Sequence, residues 1–196
     1  MLDDAAEIYE VLGNRVRQTR TARGITLEQL AALTGFTTSY LSKIENRRKV
    51  PPIATLARIA RALEVDIAYF FEGDRATKDE SVSVVRANER QPVIRGGTSF
   101  GYDYEGLAHT KRNKHMEPFI FTFPSSISKD VSFEHEGEEF VFVLSGRVKF
   151  EAGRQSWVLQ AGDSLYMDSS IPHRGHSIGG EAKALVIIFQ PDSKKR

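Results

Sequence analysis

Three residues in the second half of this chain have side chains suited to holding a metal ion: His135, Glu139 and His173. Two imidazoles and one carboxylate form the facial set that binds Fe(II), and the same donors also bind Mn, Ni or Zn. His135 and Glu139 are four residues apart, so an extended strand places both on one face, with Gly137 between them as the site of a bulge. The same residue types also occur as hydrogen-bonded groups in a metal-free polar pocket. The sequence leaves both interpretations open.

A second chemical pattern lies between residues 26 and 46, where we predict two short helices joined by a tight turn. Thr26 is a suitable N-cap for the first helix, and Gln29 is placed to reach back to the Thr26 N–H, which would complete a capping box. Gly35 ends this helix, because glycine adopts a positive φ at little cost. Thr37 then caps the second helix. Two helices at this spacing suit the major groove of DNA.

The second of these helices has one apolar face and one polar face. Leu41 and Ile44 stand at the i, i+3 spacing of a buried stripe, which leaves Thr38, Ser39, Ser42 and Lys43 facing outward. We expect one group to reach base edges: Thr37, Thr38, Ser39, Ser42 and Lys43. We expect another group to contact phosphates: Tyr40, Arg47, Arg48 and Lys49. A local cluster of cations is what phosphate binding requires, because each neutralised phosphate releases counterions.

The composition indicates two cores and no disulfides. At 196 residues the chain is long enough for two small domains. It contains no cysteine, which excludes disulfides and thiolate metal sites and suits a reducing compartment. No apolar run approaches the roughly 20 residues of a membrane span, and the acidic start lacks a signal-peptide core, so we expect a cytoplasmic protein. The net charge of +1 does not identify a partner, because acidic and basic residues are segregated along the chain.

Hydrophobic periodicity divides the chain into a helical part and a strand-rich part. Five helices fit into residues 5–71, and we assign residues 1–71 to a DNA-binding domain. Residues 72–81 are polar and lack periodicity, which predicts an exposed linker. Short β-rich runs then begin at residues 82, 102, 119, 140, 156, 164 and 184. Many short strands without helices predict a sandwich or barrel over residues 82–196.

The helical part resembles a known family of DNA-binding domains. Five residues stand at the offsets of the helix-turn-helix of phage-repressor-like (XRE) regulators: Ala31, Gly35, Leu41, Ile44 and Glu45. Residues 51–71 are similar to the two closing helices of that family, so the resemblance covers roughly residues 8–71.

Two positions depart from the pattern of that family. Leu27 stands where the family usually has a Gln that braces a phosphate contact. Arg47 follows Asn46 where the family usually has Gly. A left-handed cap must therefore fall on Asn46 or strain Arg47 by about 1 kcal/mol.

The strand-rich part resembles the cupins, which are small jelly-roll barrels. Residues 133–146 (FEHEGEEFVFVLSG) look like the first cupin motif, and residues 162–177 (GDSLYMDSSIPHRGHS) look like the second. The resemblance implies that His135, Glu139 and His173 are the metal ligands. The first motif usually begins His-x-His, and Phe133 occupies the first of these positions, so one ligand is missing.

The two parts together look like the XRE-cupin transcriptional regulators of bacteria. That resemblance implies an N-terminal five-helix phage-repressor-like domain and a C-terminal cupin, a double-stranded β-helix of the jelly-roll type. In these regulators the cupin is thought to sense a small molecule and to help dimerise the chain, while the helices hold an operator. We therefore expect a double-stranded DNA operator, a small-molecule effector and a homodimer or higher homo-oligomer. Aromatic residues are expected to line the effector cavity, although such alternation is also typical of a simple core: Tyr102, Tyr104, Phe121 and Phe133.

Two other function classes stay open at the level of sequence. A few proteins with this domain pair are mononuclear non-haem iron enzymes, notably the epoxidase of phosphonate antibiotic synthesis, so an iron-dependent oxygenase is the alternative. A metal-free protein-interaction module is a third. The polar face of the second helix favours a regulator rather than an enzyme, because an enzyme has no need to keep a DNA-binding surface, and we assign no catalytic residue.

Overall fold

A computed structural model describes residues 3–47, 51–65, 67, 69–72, 82–94, 101–111, 114–127 and 131–189. Its internal contacts divide the chain into two compact units. One unit holds the described α-helices together with residues 108–114, and the other holds the described strands. The domain boundaries that we predict at residues 71 and 82 stay predictions, since residues 73–81 of the expected linker lie outside the described part.

The helical unit contains four helices of at least eight residues and one short helical segment. These are α1 (Asp3–Ala22), α2 (Leu27–Thr34), α3 (Thr38–Glu45), α4 (Ile53–Ala62) and α5 (Tyr69–Glu72). The predicted count of five helices is not confirmed, because α5 has only 4 residues. A buried apolar core joins these segments: Leu12, Val16, Leu30, Leu41, Ile44, Leu56, Ile59, Leu63 and Phe70.

The helix-turn-helix at α2 and α3 has the caps that the sequence predicts. The Gln29 N–H donates to Thr26 Oγ1 over 3.2 Å, and the Thr26 N–H donates to Gln29 Oε1 over 2.8 Å, which completes the capping box. Gly35 closes α2 with a φ of 70°. Thr37 caps α3 by accepting the Tyr40 N–H over 3.1 Å. These local signals fix the turn between the two helices.

The strand unit consists of two antiparallel sheets. Its strands are β1 (Gln91–Ile94), β2 (Asp103–Gly106), β3 (Met116–Phe123), β4 (Glu138–Ser145), β5 (Arg147–Ala152), β6 (Gln155–Gln160), β7 (Ser164–Asp168), β8 (His173–Ser177) and β9 (Ala182–Phe189). The six-stranded sheet has the order β1-β2-β3-β9-β4-β7, and the three-stranded sheet has the order β6-β5-β8. This layout agrees with the predicted sandwich or barrel. Residues 82–85 are irregular rather than a strand, and β1 and β8 were not predicted as strands.

The core of the strand unit lies between the two sheets. Along β4 and β9 every second side chain is buried, which is the two-residue period expected of a strand with one face inward. Tyr102, just before β2, connects the sheets, because its hydroxyl donates to the carbonyl of Gly175 on β8 and accepts the Gly175 N–H over 3.0 Å. A Cβ at Gly175 would lie 2.8 Å from the ring of Phe123, so only glycine fits at this crossing. The sheets are thus held close together beside the start of β8.

Candidate metal centre and DNA-binding surface

The structure brings together the three side chains predicted as metal ligands. Glu139 lies on β4 and His173 begins β8, whereas His135 lies in the extended segment before β4. The His135 N–H donates to the Ser169 carbonyl over 2.9 Å, and the Ser169 N–H donates to the Gly137 carbonyl over 2.9 Å. Gly137 has a φ of 102°. The His135 and Glu139 side chains therefore face the same side because the chain is irregular at Gly137, and not because both residues lie on one regular strand.

The donor atoms of the triad form a compact group. His135 Nε2 lies 2.7 Å from Glu139 Oε1, and His173 Nε2 lies 3.7 Å from the same oxygen. All three donor atoms lie within 4.8 Å of one another. The side chains of Glu139 and both histidines are almost fully buried. This separation and burial suit three protein ligands on one cation, with further positions left for other ligands.

The hydrogen bonds on the far side of each imidazole identify which nitrogen faces the centre. His135 Nδ1 lies 3.1 Å from the Glu136 carbonyl, and His173 Nδ1 lies 2.8 Å from the Ile171 carbonyl. A carbonyl only accepts, so each Nδ1 carries a hydrogen and donates it. In the neutral imidazoles both Nε2 atoms are then acceptors, and they converge on a carboxylate oxygen that is also an acceptor. A cation stabilises such a group of acceptors, whether it is a metal ion or a proton on one of the histidines.

The pKa shifts of Glu139 and His173 also favour a cation at the triad. Burial alone would raise the pKa of Glu139, but the neighbouring His135 and His173 outweigh burial and lower it to about 2. Burial alone would lower the pKa of His173, but the Glu139 carboxylate leaves it above its usual value. The carboxylate is therefore ionised at neutral pH and attracts a cation.

Aromatic side chains surround His173. Phe150 stacks on its ring with 6.2 Å between centroids and an interplanar angle of 9°. The backbone of Phe133 pairs with the backbone of His173 through two hydrogen bonds of 2.8 and 2.9 Å. Phe133 occupies the position where a cupin usually has an additional histidine, and its ring centroid lies 6.3 Å from that of His173.

The four predicted effector residues form one aromatic cluster. The Tyr102 ring lies 5.5 Å from Phe133 and 6.2 Å from Phe121, and the Tyr104 ring lies 4.5 Å from Phe121. Tyr102, Tyr104 and Phe121 are buried, whereas Phe133 is half-buried. Burial raises the pKa of Tyr102 well above its usual value, so its phenol keeps its proton. The assignment of these four residues to an effector site stays a prediction.

Ser169 is a residue of this site that the sequence did not identify. It is fully buried, and its Oγ atom has no hydrogen-bond partner in the described part of the chain. Its backbone holds both His135 and Gly137 in place. The pairing depends on a turn between β7 and β8 that has no distinctive sequence signal.

The outward face of α3 has the predicted polar character. Leu41, Ile44 and Glu45 are buried. The predicted base-reading side chains are exposed or half-buried: Thr37, Thr38, Ser39, Ser42 and Lys43. Among the predicted phosphate contacts, Tyr40 is half-buried and Arg47 is exposed. Arg48 and Lys49 lie outside the described residues.

A buried ion pair between α1 and α3 holds α3, the helix predicted to contact DNA bases, in place. Arg20 Nε and Nη2 donate to the two carboxylate oxygens of Glu45 over 2.6 and 2.9 Å, and Arg20 Nη1 donates to the Ile25 carbonyl over 2.7 Å. The side chains of Arg20 and Glu45 are 11% and 4% exposed. The sequence placed Glu45 in the family pattern but did not predict its partner.

The end of α3 adopts the strained alternative that the sequence allowed. Asn46 has a φ of −92°, whereas Arg47 has a φ of 62° and donates its N–H to the Ile44 carbonyl over 3.0 Å. The Arg47 guanidinium donates to Asn14 Oδ1 over 2.9 Å. A left-handed conformation in a residue other than glycine is costly, so it is typical of a position that has a function.

Among the described helices, none combines the length and the apolar character needed to cross a bilayer.

Comparisons with known proteins agree with this two-part structure. A helix-turn-helix family model matches residues 16–70, and a cupin domain model matches residues 119–189. The transcriptional regulator PuuR of Escherichia coli (strain K12) is 26% identical over 161 residues, which cover 82% of this chain and 84% of PuuR. The (S)-2-hydroxypropylphosphonic acid epoxidase of Streptomyces wedmorensis is 28% identical over 167 residues, which cover 81% of this chain and 84% of the epoxidase.

A solved structure extends the likeness to the whole fold. The crystal structure of an HTH_3 family transcriptional regulator from Vibrio cholerae has 23% sequence identity and a TM-score of 0.61, and the match covers 95% of this chain and 99% of that one. The helix-turn-helix, the cupin and their order in the chain are all present. The chain therefore consists of an XRE-type helix-turn-helix domain followed by a cupin domain, and it is similar to regulators of the XRE-cupin type such as PuuR.

Proposed function

We propose that this protein binds a specific double-stranded DNA operator as a dimer and that its cupin adjusts this binding in response to a small molecule. The observation that carries the proposal is the arrangement of α2 and α3, in which α3 keeps its apolar side chains inward and a hydroxyl-rich, basic face outward. Two reading helices in a dimer would lie about 34 Å apart and match a nearly palindromic site.

The exposed residues of α3 fall into two roles. Lys43 and the hydroxyl side chains from Thr37 to Ser42 are placed to contact base edges, which carry sequence information. Tyr40 and Arg47 are assigned to phosphates, which position the protein without reading sequence. Arg48 and Lys49 extend the basic group along the chain, although they lie outside the described residues.

Selection from a random duplex library with the full-length protein tests this proposal. We expect selected duplexes to bind at least about 1,000-fold more tightly than random duplex. Lys43→Ala should reduce the binding free energy by about 1 to 3 kcal/mol and relax the base preference at one position of the site. Arg47→Ala should weaken binding to all sequences alike and reduce by about 1 the slope of the logarithm of the binding constant against the logarithm of the salt concentration. Lys149→Ala, on β5 of the strand unit, is the matched control and should change neither the DNA affinity nor its dependence on salt. A selection without any enriched sequence would contradict the proposal.

We further propose that a divalent cation is held by His135, Glu139 and His173. Support comes from the three converging acceptors and from the two carbonyls that fix both imidazole tautomers. The donor set admits Fe, Mn, Ni or Zn. When bound, such an ion acts as a Lewis acid with positions open to a small ligand. Phe133 and Phe150 keep the surroundings of His173 apolar, which strengthens electrostatic attraction at the centre.

Metal analysis of protein purified without chelator tests the triad. His135→Ala and His173→Ala should each abolish metal uptake, because two ligands are too few to hold the ion. His176→Ala is the matched control, since it lies on the same strand β8 with its side chain on the opposite face. Full metal content in both ligand variants would show that the triad is wrong. Absence of metal from the wild type under all loading conditions would favour the metal-free pocket.

The effector is expected inside the barrel, against the aromatic cluster beside the triad. Tyr102, Tyr104, Phe121 and Phe133 define that cluster, and Phe133 is its least buried member. A thermal-shift screen of amino acids, polyamines and small carboxylates, with and without metal, tests this assignment. An effector that stabilises the wild type should lose its effect in Phe133→Ala. A ligand whose effect persists in that variant binds elsewhere.

A second function is favoured by the triad itself. The relative from Streptomyces wedmorensis is an epoxidase, and the donor set of two histidines and one glutamate leaves positions for substrate and oxygen. Incubation of the Fe(II)-loaded protein with (S)-2-hydroxypropylphosphonate, followed by phosphorus NMR, distinguishes the two functions. Product formation that is lost in His173→Ala would support the enzyme, and unchanged substrate would leave the regulator as the function.

A further inference from the structure

The side chain of Arg47, at the end of α3, is held in place although the residue is exposed. Its φ of 62° sets the direction in which the side chain leaves the backbone. Its Nη2 atom donates to Oδ1 of Asn14, on α1, over 2.9 Å. An exposed arginine ordinarily samples many rotamers, and ordering it costs conformational entropy. Contacts that order such a side chain before a ligand binds are a form of preorganisation.

Gly13, the residue before Asn14, lies directly against the end of α3. A Cβ at Gly13 would lie 2.6 Å from the carbonyl oxygen of Ile44 and 3.1 Å from that of Glu45. The same Cβ would lie 3.2 Å from Cγ of Arg47, so the aliphatic stem of this arginine passes over the glycine. Gly13 thus provides the space for the stem, and Asn14 binds the guanidinium at its end.

The position of α1 beside the end of α3 is fixed by buried contacts. Arg20 of α1 forms the buried ion pair with Glu45 of α3. Leu12 and Val16 of α1 are buried in the core of the helical unit, one on each side of Asn14 in the sequence. Asn14 is therefore an exposed side chain on a firmly packed helix, and it provides a rigid support for a side chain at the end of α3.

Asn14 offers a neutral acceptor, which suits an arginine whose ligand is an anion. Arg23 of the same unit binds the carboxylate of Glu64 over 2.6 Å, and that carboxylate offsets the charge of its arginine. The side-chain carbonyl of Asn14 orients the guanidinium of Arg47 without offsetting its charge. The planar guanidinium matches the geometry of phosphate oxygens, so its orientation decides how well it binds them.

We infer that Asn14 is a positioning residue that holds the Arg47 guanidinium ready to bind a phosphate of the DNA backbone. The inference rests on the proposed function, in which Arg47 contacts phosphate, and it extends the DNA-binding machinery to α1. Because Arg47 is ordered when the protein folds, less conformational entropy is lost when DNA binds. The gain in affinity is the same for every DNA sequence, since phosphate contacts carry no sequence information.

Nitrogen-15 relaxation of the full-length protein without DNA tests the ordering of Arg47. The heteronuclear NOE of the Arg47 Nε–Hε group reports its motion on the picosecond-to-nanosecond timescale. In the wild type this NOE should be close to the values of the helix backbone, and in Asn14→Ala it should fall to the values of a mobile side chain. Equal NOE values in the two proteins would overturn the inference.

Fluorescence anisotropy with a random-sequence duplex tests the consequence for DNA binding. Asn14→Ala should weaken binding by about 3- to 10-fold, because Arg47 must then be ordered at the moment of binding. In the Arg47→Ala background, Asn14→Ala should cause no further loss, since a positioning residue acts only through the side chain that it positions. A further loss of the same size would show that Asn14 acts independently of Arg47 and would overturn the inference.

Asn88→Ala is the matched control, because it removes an exposed asparagine side chain from the helical turn Ala87–Glu89 of the strand unit and should leave DNA affinity unchanged. Circular dichroism separates positioning from folding. The helical midpoint should not fall in Asn14→Ala, since Ala favours a helix more than Asn does. A loss of DNA affinity that parallels a loss of helical structure would overturn the inference.

The inference and the proposed function can fail separately. Wild-type affinity in Asn14→Ala would overturn the inference even if the library selection yields an operator. A selection without any enriched sequence would count against the proposed function alone, because the Arg47 NOE and the affinity for random duplex are measured without an operator.

Discussion

Removing the charge of Glu45 should destabilise the helical unit far more than removing the charge of an exposed glutamate. Glu45 accepts two hydrogen bonds from Arg20, and both side chains are almost fully buried. In Glu45→Gln the guanidinium of Arg20 stays buried without a counter-charge. Breaking a buried ion pair on one side costs about 3 to 5 kcal/mol. Because Gln retains one acceptor, we expect about 3 kcal/mol.

Thermal unfolding followed by circular dichroism at the helical wavelength measures this effect. In a unit of this size each kcal/mol lowers the midpoint by about 4 to 8 °C, so Glu45→Gln should lower the helical transition by about 12 to 24 °C. The unfolding midpoint of the strand unit should not change, since Glu45 lies in the helical unit. Replacing both partners, as Arg20→Met with Glu45→Leu, should restore most of the lost stability because no buried charge remains.

The matched control is Glu64→Gln in the exposed pair of Arg23 and Glu64. The Arg23 and Glu64 side chains are 35% and 79% exposed, so solvent screens their attraction and the change should cost less than about 1 kcal/mol. Equal shifts for Glu45→Gln and Glu64→Gln would refute the reasoning that burial makes the Arg20 pair important. A larger shift for the double apolar variant than for Glu45→Gln would refute it too.

Three further outcomes are expected. Arg47→Gly should stabilise the helical unit by up to about 1 kcal/mol by removing the strain at a φ of 62°, yet weaken binding to all DNA sequences, as measured by unfolding and by anisotropy. Tyr102→Phe should cost about 1 to 3 kcal/mol in the strand transition, because it leaves the N–H and carbonyl of Gly175 unpaired. In metal-free protein, Glu139 stabilises the fold above its unfolded pKa near 4.5, and this stabilisation is lost as the pH falls toward about 2. His173 stabilises it below its unfolded pKa near 6.5 and ceases to do so as the pH rises through its higher folded pKa. Both contributions are thus complete between about pH 4.5 and 6.5, where they add to the free energy of unfolding. Glu139→Gln should remove this maximum from the curve of unfolding free energy against pH.

The parts of the fold that depend on local chemistry were predictable from sequence. The capping box at Thr26, the end of α2 at Gly35 and the cap at Thr37 each involve residues within a few positions of one another, and the structure contains all three. Residues 82–85 were predicted as a strand from their β-rich composition, but Val82 and Val84 are 71% and 62% exposed in an irregular segment. A strand needs a neighbouring strand to pair with, and β-rich composition alone does not supply one.

The ligands of the candidate site were predictable from sequence, but the groups that orient them were not. Residue chemistry and motif spacing selected His135, Glu139 and His173, and the fold brings them together. The carbonyls that fix the imidazole tautomers belong to the backbone of Glu136 and Ile171, so their role depends on chain path and not on residue type. The Arg20 partner of Glu45 was missed for a related reason, since 25 residues separate the two in sequence.

Strand β4 links the candidate metal centre to the rest of the six-stranded sheet. Glu139, Val141 and Val143 point into the core, whereas Phe140 and Phe142 point outward. A ligand or metal held by Glu139 therefore acts on a strand that pairs with both β7 and β9. Such a ligand changes DNA affinity only if it binds the DNA-competent and the released states of the protein with different strength, because equal affinity shifts no equilibrium.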